Sequence, residues 1–106
     1  MFAATPQPPY FAVIFTSQLS DRAEGYDELA KKMLELAAAQ PGFLGVESAR
    51  EANGLGITVS YWRSRAEIAA WKQHSEHQLA QQRGRTEFYT DFRLRIAVVE
   101  SESGKR

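Results

Sequence analysis

The sequence predicts a single α+β domain with the element order β-α-β-β-α-β. Three observations carry that reading. Two long segments repeat apolar residues at helical spacing. Four others are short, aromatic and β-branched. An Asn53-Gly54 pair joins two of those four as a hairpin.

Met1 to Pro9 holds three prolines and little that packs, so it reads as a flexible N-terminal arm. "YFAVIFTS", Tyr10 to Ser17, is the first strand, apolar on both faces. A helix is expected from about Arg22 to Gln40. Tyr26, Leu29, Ala30, Met33 and Ala37 form its apolar stripe, Asp21 with Glu24 offers a capping box, and Pro41-Gly42 ends it. Gly25 leaves its first turn open. Two strands follow, Phe43 to Glu51 and Leu55 to Trp62. Ser64 with Glu67 caps a second helix that runs through Trp71. Ser75 with Gln78 repeats the capping signature, so a break there is expected, and Gly84 ends the helix. In the last strand, Glu87 to Glu100, Phe92, Leu94, Ile96 and Val98 lie on one face, and Asp91, Arg93, Arg95 and Ala97 on the other. Residues 101–106 are a polar tail.

This order is the ferredoxin-like split βαβ arrangement, with residues 10–100 as the domain. Two helices cover one face of a four-stranded antiparallel sheet. The other face still carries apolar residues, and a second copy is the simplest cover, so a homodimer is expected.

Composition narrows the function. Lys plus Arg and Asp plus Glu both number 13, which argues against nucleic acid or an anionic membrane as partner. No cysteine means no thiolate chemistry, disulfide or Cys-ligated metal. No apolar run approaches the ~20 residues that span a bilayer. The first residues lack a signal-peptide pattern, and a cytoplasmic protein is expected.

The stretch "SYWRSRAEIAAWKQHSEH" holds both tryptophans and both histidines. At ~100° per residue, Ile68, Ser75 and Leu79 share Trp71's core face, His74 sits at its margin and His77 further round. Trp71 is a large core residue or a pocket wall, and the histidines are boundary residues or proton carriers. Their i, i+3 spacing could bridge a metal, but no third ligand is apparent, so no metal is expected. Arg93 and Arg95 pair with carboxylates or face a polar cavity. Tyr61 and Trp62 end the third strand on opposite faces, so only one lines any given cavity. Tyr89 and Thr58 are minor candidates. Gly84-Arg85 reads as a helix end with a cation in its last turn.

"QPGFLGVESAR", "GITVSYW", "AWKQHSEHQLAQQRGR" and "FYTDFRLRIAVVE" together resemble the antibiotic biosynthesis monooxygenase family, over about Tyr10 to Glu100. The resemblance implies a dimer whose sheets close into an α+β barrel, with a pocket between helices and sheet. Some members oxygenate polycyclic phenols without metal or flavin. A base removes a phenol or anthrone proton, the ring reduces O₂, and the peroxide collapses to a quinone. On that pattern Trp71 walls the pocket and His74 carries the proton. Arg95 or Tyr61 holds an oxyanion, with Trp62 and His77 as further substrate contacts and no cofactor.

Other members degrade haem with a strand-one Asn, a helix Trp and a downstream His. Trp71 matches, but the first strand offers Thr16, Ser17 and Gln18. The one Asn is Asn53, and the position ten after Trp71 is Gln81. The resemblance thus favours oxidation of an aromatic hydroxy or quinone-type small molecule with O₂. The alternative is a dimeric small-molecule-binding or stress-related protein without turnover.

Overall fold

The computed structural model describes residues 2–81 and 88–105, with residues 79–81 by their backbone. The elements are β1 (Tyr10–Leu19), α1 (Tyr26–Ala38), β2 (Phe43–Arg50), β3 (Leu55–Trp62), α2 (Arg65–Gln81) and β4 (Tyr89–Val99). The order β-α-β-β-α-β is the expected one. The strands form one antiparallel sheet in the order β2-β3-β1-β4.

Directly opposed residues of antiparallel strands point to the same side. Phe11, Val13, Phe15 and Ser17 of β1 therefore share a face with Trp62, Ser60, Thr58 and Gly56 of β3, and with Val98, Ile96, Leu94 and Phe92 of β4. This is the helix side. Ile68 of α2 closes a buried cluster with Val13 and Trp62, and Phe11, Phe43 and Trp71 pack around it. α1 packs against β2, and contributes buried Leu29 and Ala37.

The opposite, open face carries Ile14, Thr16 and Gln18, then Leu55, Ile57, Val59 and Tyr61, then Asp91, Arg93 and Arg95. Leu55 and Ile57 are exposed there. The N-terminal arm reaches this face at one corner. The Ala3 amide donates to Glu47 Oε2 at 3.0 Å, and the Thr5 and Tyr10 hydroxyls lie 3.0 Å apart.

α1 begins at Tyr26, four residues later than expected. Its N-cap is Gly25, at φ 85°, and no side chain caps it. That left-handed geometry suits glycine and turns the chain out of the helix, so Asp21 and Glu24 form no capping box. Ser20 Oγ instead accepts from the Arg22 amide at 3.1 Å.

α2 opens on its predicted cap, with Ser64 Oγ accepting the Glu67 amide at 3.2 Å. The reciprocal half differs. Glu67 Oε1 accepts from the Ser64 hydroxyl rather than from a backbone amide. The expected break at Ser75 does not occur. Its hydroxyl donates to the Lys72 carbonyl at 2.9 Å, satisfying itself inside a continuous helix. Gly84, Arg85 and Glu87, with the side chains of Leu79 and Gln81, lie outside the described residues. Among the described residues, no helix is long and apolar enough to cross a membrane.

Two helices do not cover their whole side of the sheet. Phe92, Leu94, Ile96 and Val98 remain 45–56% exposed along β4. The total accessible surface is 7818 Å². A folded monomer of this size exposes about 6,000 Å². An uncovered apolar strip and an open sheet face account for part of that excess, with the extended termini.

Candidate functional site

The helix-side site centres on α2. Trp62 is wholly buried, and its Nε1 donates to Ser60 Oγ at 2.9 Å. Trp71 stacks on it, with centroids 6.2 Å apart and planes 22° apart. Phe43 meets Trp62 edge-on at 5.5 Å. His74 follows at 5.8 Å from Trp71. Both Trp71 and His74 are half-buried.

His74 lies at one edge of the half-buried stripe, as its spacing predicts. The stripe runs Ile68, Trp71, His74, Ser75, Gln78, so His74 belongs to it. The polar half of that stripe explains why α2 is barely amphipathic. His74 Nε2 is shut off from solvent and has no hydrogen-bond partner among the described residues. A buried nitrogen left unpaired costs about 1–3 kcal/mol, so an imidazole kept there is a candidate for a partner that arrives from outside. Exposed His77 lies one turn on.

Tyr61 and Arg95 are not part of this cluster. They project from the open face, Tyr61 opposite Ala12 and Arg95 opposite Ile14. The sheet separates them from Trp71 and His74, so no single monomer pocket holds all four. Strand alternation is the reason: Trp62 and Tyr61 are neighbours and must diverge. Trp62 lies within the core, wholly buried, with Trp71 stacked on it.

On the open face the Tyr61 hydroxyl donates to Glu47 Oε1 at 2.7 Å. Burial, and then this bond to Glu47, push the Tyr61 phenol up to about 12. The same bond, with the Ala3 amide, holds the Glu47 carboxyl below its ordinary value. Arg93 pairs within its own strand, with Asp91 Oδ1 at 2.7 Å, both exposed. On the helix side, by contrast, Thr58 Oγ1 lies 2.8 Å from Ser48 Oγ. Two shallow depressions lie near the open face, one lined by Thr16, Gln18, Leu55 and Arg93, the other by Ala49, Glu51 and Ile57. Neither is lined by Trp71 or His74. Among the described residues, no three His, Asp or Glu side chains gather to hold a metal.

Sequence reading missed a second helix-side cluster. The Arg50 guanidinium donates through Nη2 to Ser17 Oγ at 2.7 Å and to the Tyr26 hydroxyl at 3.2 Å. Nη1 donates to the carbonyls of Ser17, at 3.3 Å, and Gly54. The Tyr89 hydroxyl also donates to Tyr26, at 3.2 Å. Burial, and then that bond, push the Tyr89 phenol up. Gly56, opposite Arg50 in the hairpin, was the legible signal. A Cβ there would lie 2.5 Å from the guanidinium carbon, so the bare glycine lets Arg50 cross β3 to reach β1.

The model of the antibiotic biosynthesis monooxygenase family matches residues 9–83. An uncharacterized Bacillus subtilis protein, YqjZ, is 54% identical over 92% of this chain and 86% of its own length. A jasmonate monooxygenase of Pyricularia oryzae is 25% identical over 93% of this chain, which spans only 41% of that protein. Among solved structures, PA3566 from Pseudomonas aeruginosa superposes with a TM-score of 0.69 at 18% identity, over 92% of this chain and 99% of that one. Rv0793 from Mycobacterium tuberculosis gives 0.66 at 19% identity, over 92% and 99%. These last two show the shared fold.

Proposed function

This chain belongs to the antibiotic biosynthesis monooxygenase family, and from that premise we propose that it oxidises an aromatic hydroxy compound with O₂ on the helix side of its sheet. The observation that carries the reading is His74, whose buried Nε2 has no partner among the described residues and whose ring lies against Trp71. An indole wall beside an unpaired imidazole suits a flat, acidic substrate. The match to a jasmonate monooxygenase supports oxygenation of a small molecule without naming it.

In the reaction His74 Nε2 takes the proton from an anthrone-type C–H or its phenol. Imidazole suits this step because its proton affinity lies near neutral pH. The resulting carbanion reduces O₂ to a carbon-bound peroxide. Loss of water then leaves a carbonyl: the CH₂ is oxidised to C=O, and O₂ supplies that oxygen and the oxygen of water. The protein contributes orientation by Trp71 and a site shielded from water. The bare β4 strip needs a cover, and a second copy of the chain supplies it, which makes the working unit a homodimer. The reading places this dimer in the cytoplasm.

A non-catalytic binding protein is the second reading. It is favoured by the lack of any carboxylate bonded to His74 among the described residues, since catalytic imidazoles are commonly oriented by one. Oxygen uptake separates the two. With 1,8-dihydroxyanthrone, the wild type should consume one O₂ per anthrone above the buffer rate, and His74→Phe should fall at least ~100-fold. Equal rates for wild type, variant and buffer would leave a binding protein.

A further inference from the structure

Arg50 is a half-buried cation whose partners among the described residues are all neutral. Its four contacts go to two carbonyls, a serine hydroxyl and a phenol. Among the described residues the one ion pair joins Arg93 to Asp91, and none of their carboxylates pairs with Arg50. A desolvated guanidinium without a counter-charge is costly, and natural sites of this kind are completed by an anion.

Two donors of the cluster have no acceptor among the described residues. The Tyr26 oxygen accepts from both Arg50 and Tyr89, which leaves its own proton undirected by them. Nε of Arg50 makes no hydrogen bond to the protein among the described residues. The guanidinium also lies 5.3 Å from the Tyr26 ring centroid, which fixes its plane. Beside it, Tyr89 packs against Phe15 at 5.4 Å and Phe92 at 6.2 Å. Phe92 continues into the exposed strip of Leu94 and Ile96. A polar pole thus abuts an apolar floor.

We propose that Arg50, Tyr26 and Tyr89 form an anion subsite that receives the oxyanion of an amphipathic ligand, a carboxylate or phenolate whose apolar body lies over Phe15 and Phe92. The subsite deepens the proposed reading and rests on its premise that the ligand binds on the helix side. It lies over Ser17 and Gly56, whereas His74 belongs with Val13 and Trp62. Four to six residues of strand separate the two poles, roughly 13–20 Å. Arg50 therefore sets which end of the ligand faces His74; it is a positioning residue, remote from the reacting atoms.

Two probes of equal shape test this: anthracene-2-carboxylate and anthracene-2-methanol, titrated calorimetrically. The wild type should bind the carboxylate at least ~10-fold more tightly, as a charge-assisted pair requires. That preference should vanish in Arg50→Met, with the alcohol's affinity unchanged. Tyr26→Phe keeps the ring and removes the free proton, so it should cut the preference severalfold even if Arg50→Met fails to fold. Equal affinity of the wild type for both probes, no binding of the carboxylate, or a preference that survives Tyr26→Phe intact would overturn the proposal. His74→Phe should retain the charge preference, so a failed oxygen-uptake test leaves this result standing.

Discussion

His74 spends stability for availability. Its Nε2 is buried and unpaired, a condition that costs about 1–3 kcal/mol. His74→Phe keeps a ring against Trp71 and removes the orphan. It should raise the melting temperature by several degrees, at about 4–8 °C per kcal/mol for a domain of this size, as scanning calorimetry would record. A fall in melting temperature would mean that the imidazole is a packed structural residue. Glu47 and Tyr61 give a second test at this scale. Glu47 is held below its ordinary value, so its contribution is present at neutral pH and is lost as pH falls through the lowered value. Tyr61 is raised to about 12, so its contribution is present below the ordinary tyrosine value near 10 and is lost as pH rises through about 12. Ultraviolet titration should show one phenol delayed to about 12, and Glu47→Gln should move it back toward 10. An unchanged titration would remove Glu47 as a cause.

At the scale of elements, the sequence patterns placed strands better than helix starts. Both edges of β3, and the start of β2, fall where alternation and the Asn53-Gly54 turn put them. α1 starts late because one left-handed glycine outweighs a capping pattern. α2 is continuous because a serine inside a helix can bond to its own backbone as well as cap a new one. The Ser64 cap is the one capping signature that the fold uses. Ser64→Ala should cost about 1 kcal/mol in urea unfolding, whereas Ser75→Ala should change stability by less than about 0.5 kcal/mol. Equal effects would mean that the hydroxyl of Ser64 does not hold the helix end. Spacing put Trp71 and His74 near one side of α2, while a role for them came from the family resemblance. The Arg50 cluster was not legible, because Ser17, Tyr26, Arg50 and Tyr89 come from four elements and meet only through tertiary structure. The division of Tyr61 and Arg95 from His74 follows from strand alternation, but only once the register is known.

For the whole molecule, the sheet presents one partly covered side and one open side, and the two carry different chemistry. The helix side holds aromatic rings and, among the described residues, an imidazole nitrogen without a partner and a guanidinium without a carboxylate. The open side holds the Asp91–Arg93 pair, Arg95 and the arm-bound Glu47–Tyr61 pair. The extended termini account for part of the roughly 1,800 Å² of accessible surface above that of a compact monomer, and the exposed β4 strip contributes to the rest. On the proposed reading the helix side, at Trp71 and His74, binds a flat aromatic molecule within a dimer. Native mass spectrometry under anaerobic conditions with 1,8-dihydroxyanthrone tests it most directly. A two-subunit species carrying two anthrones is expected, with the adduct lost in Trp71→Ala. A monomer whose adduct is the same in wild type and Trp71→Ala would contradict it.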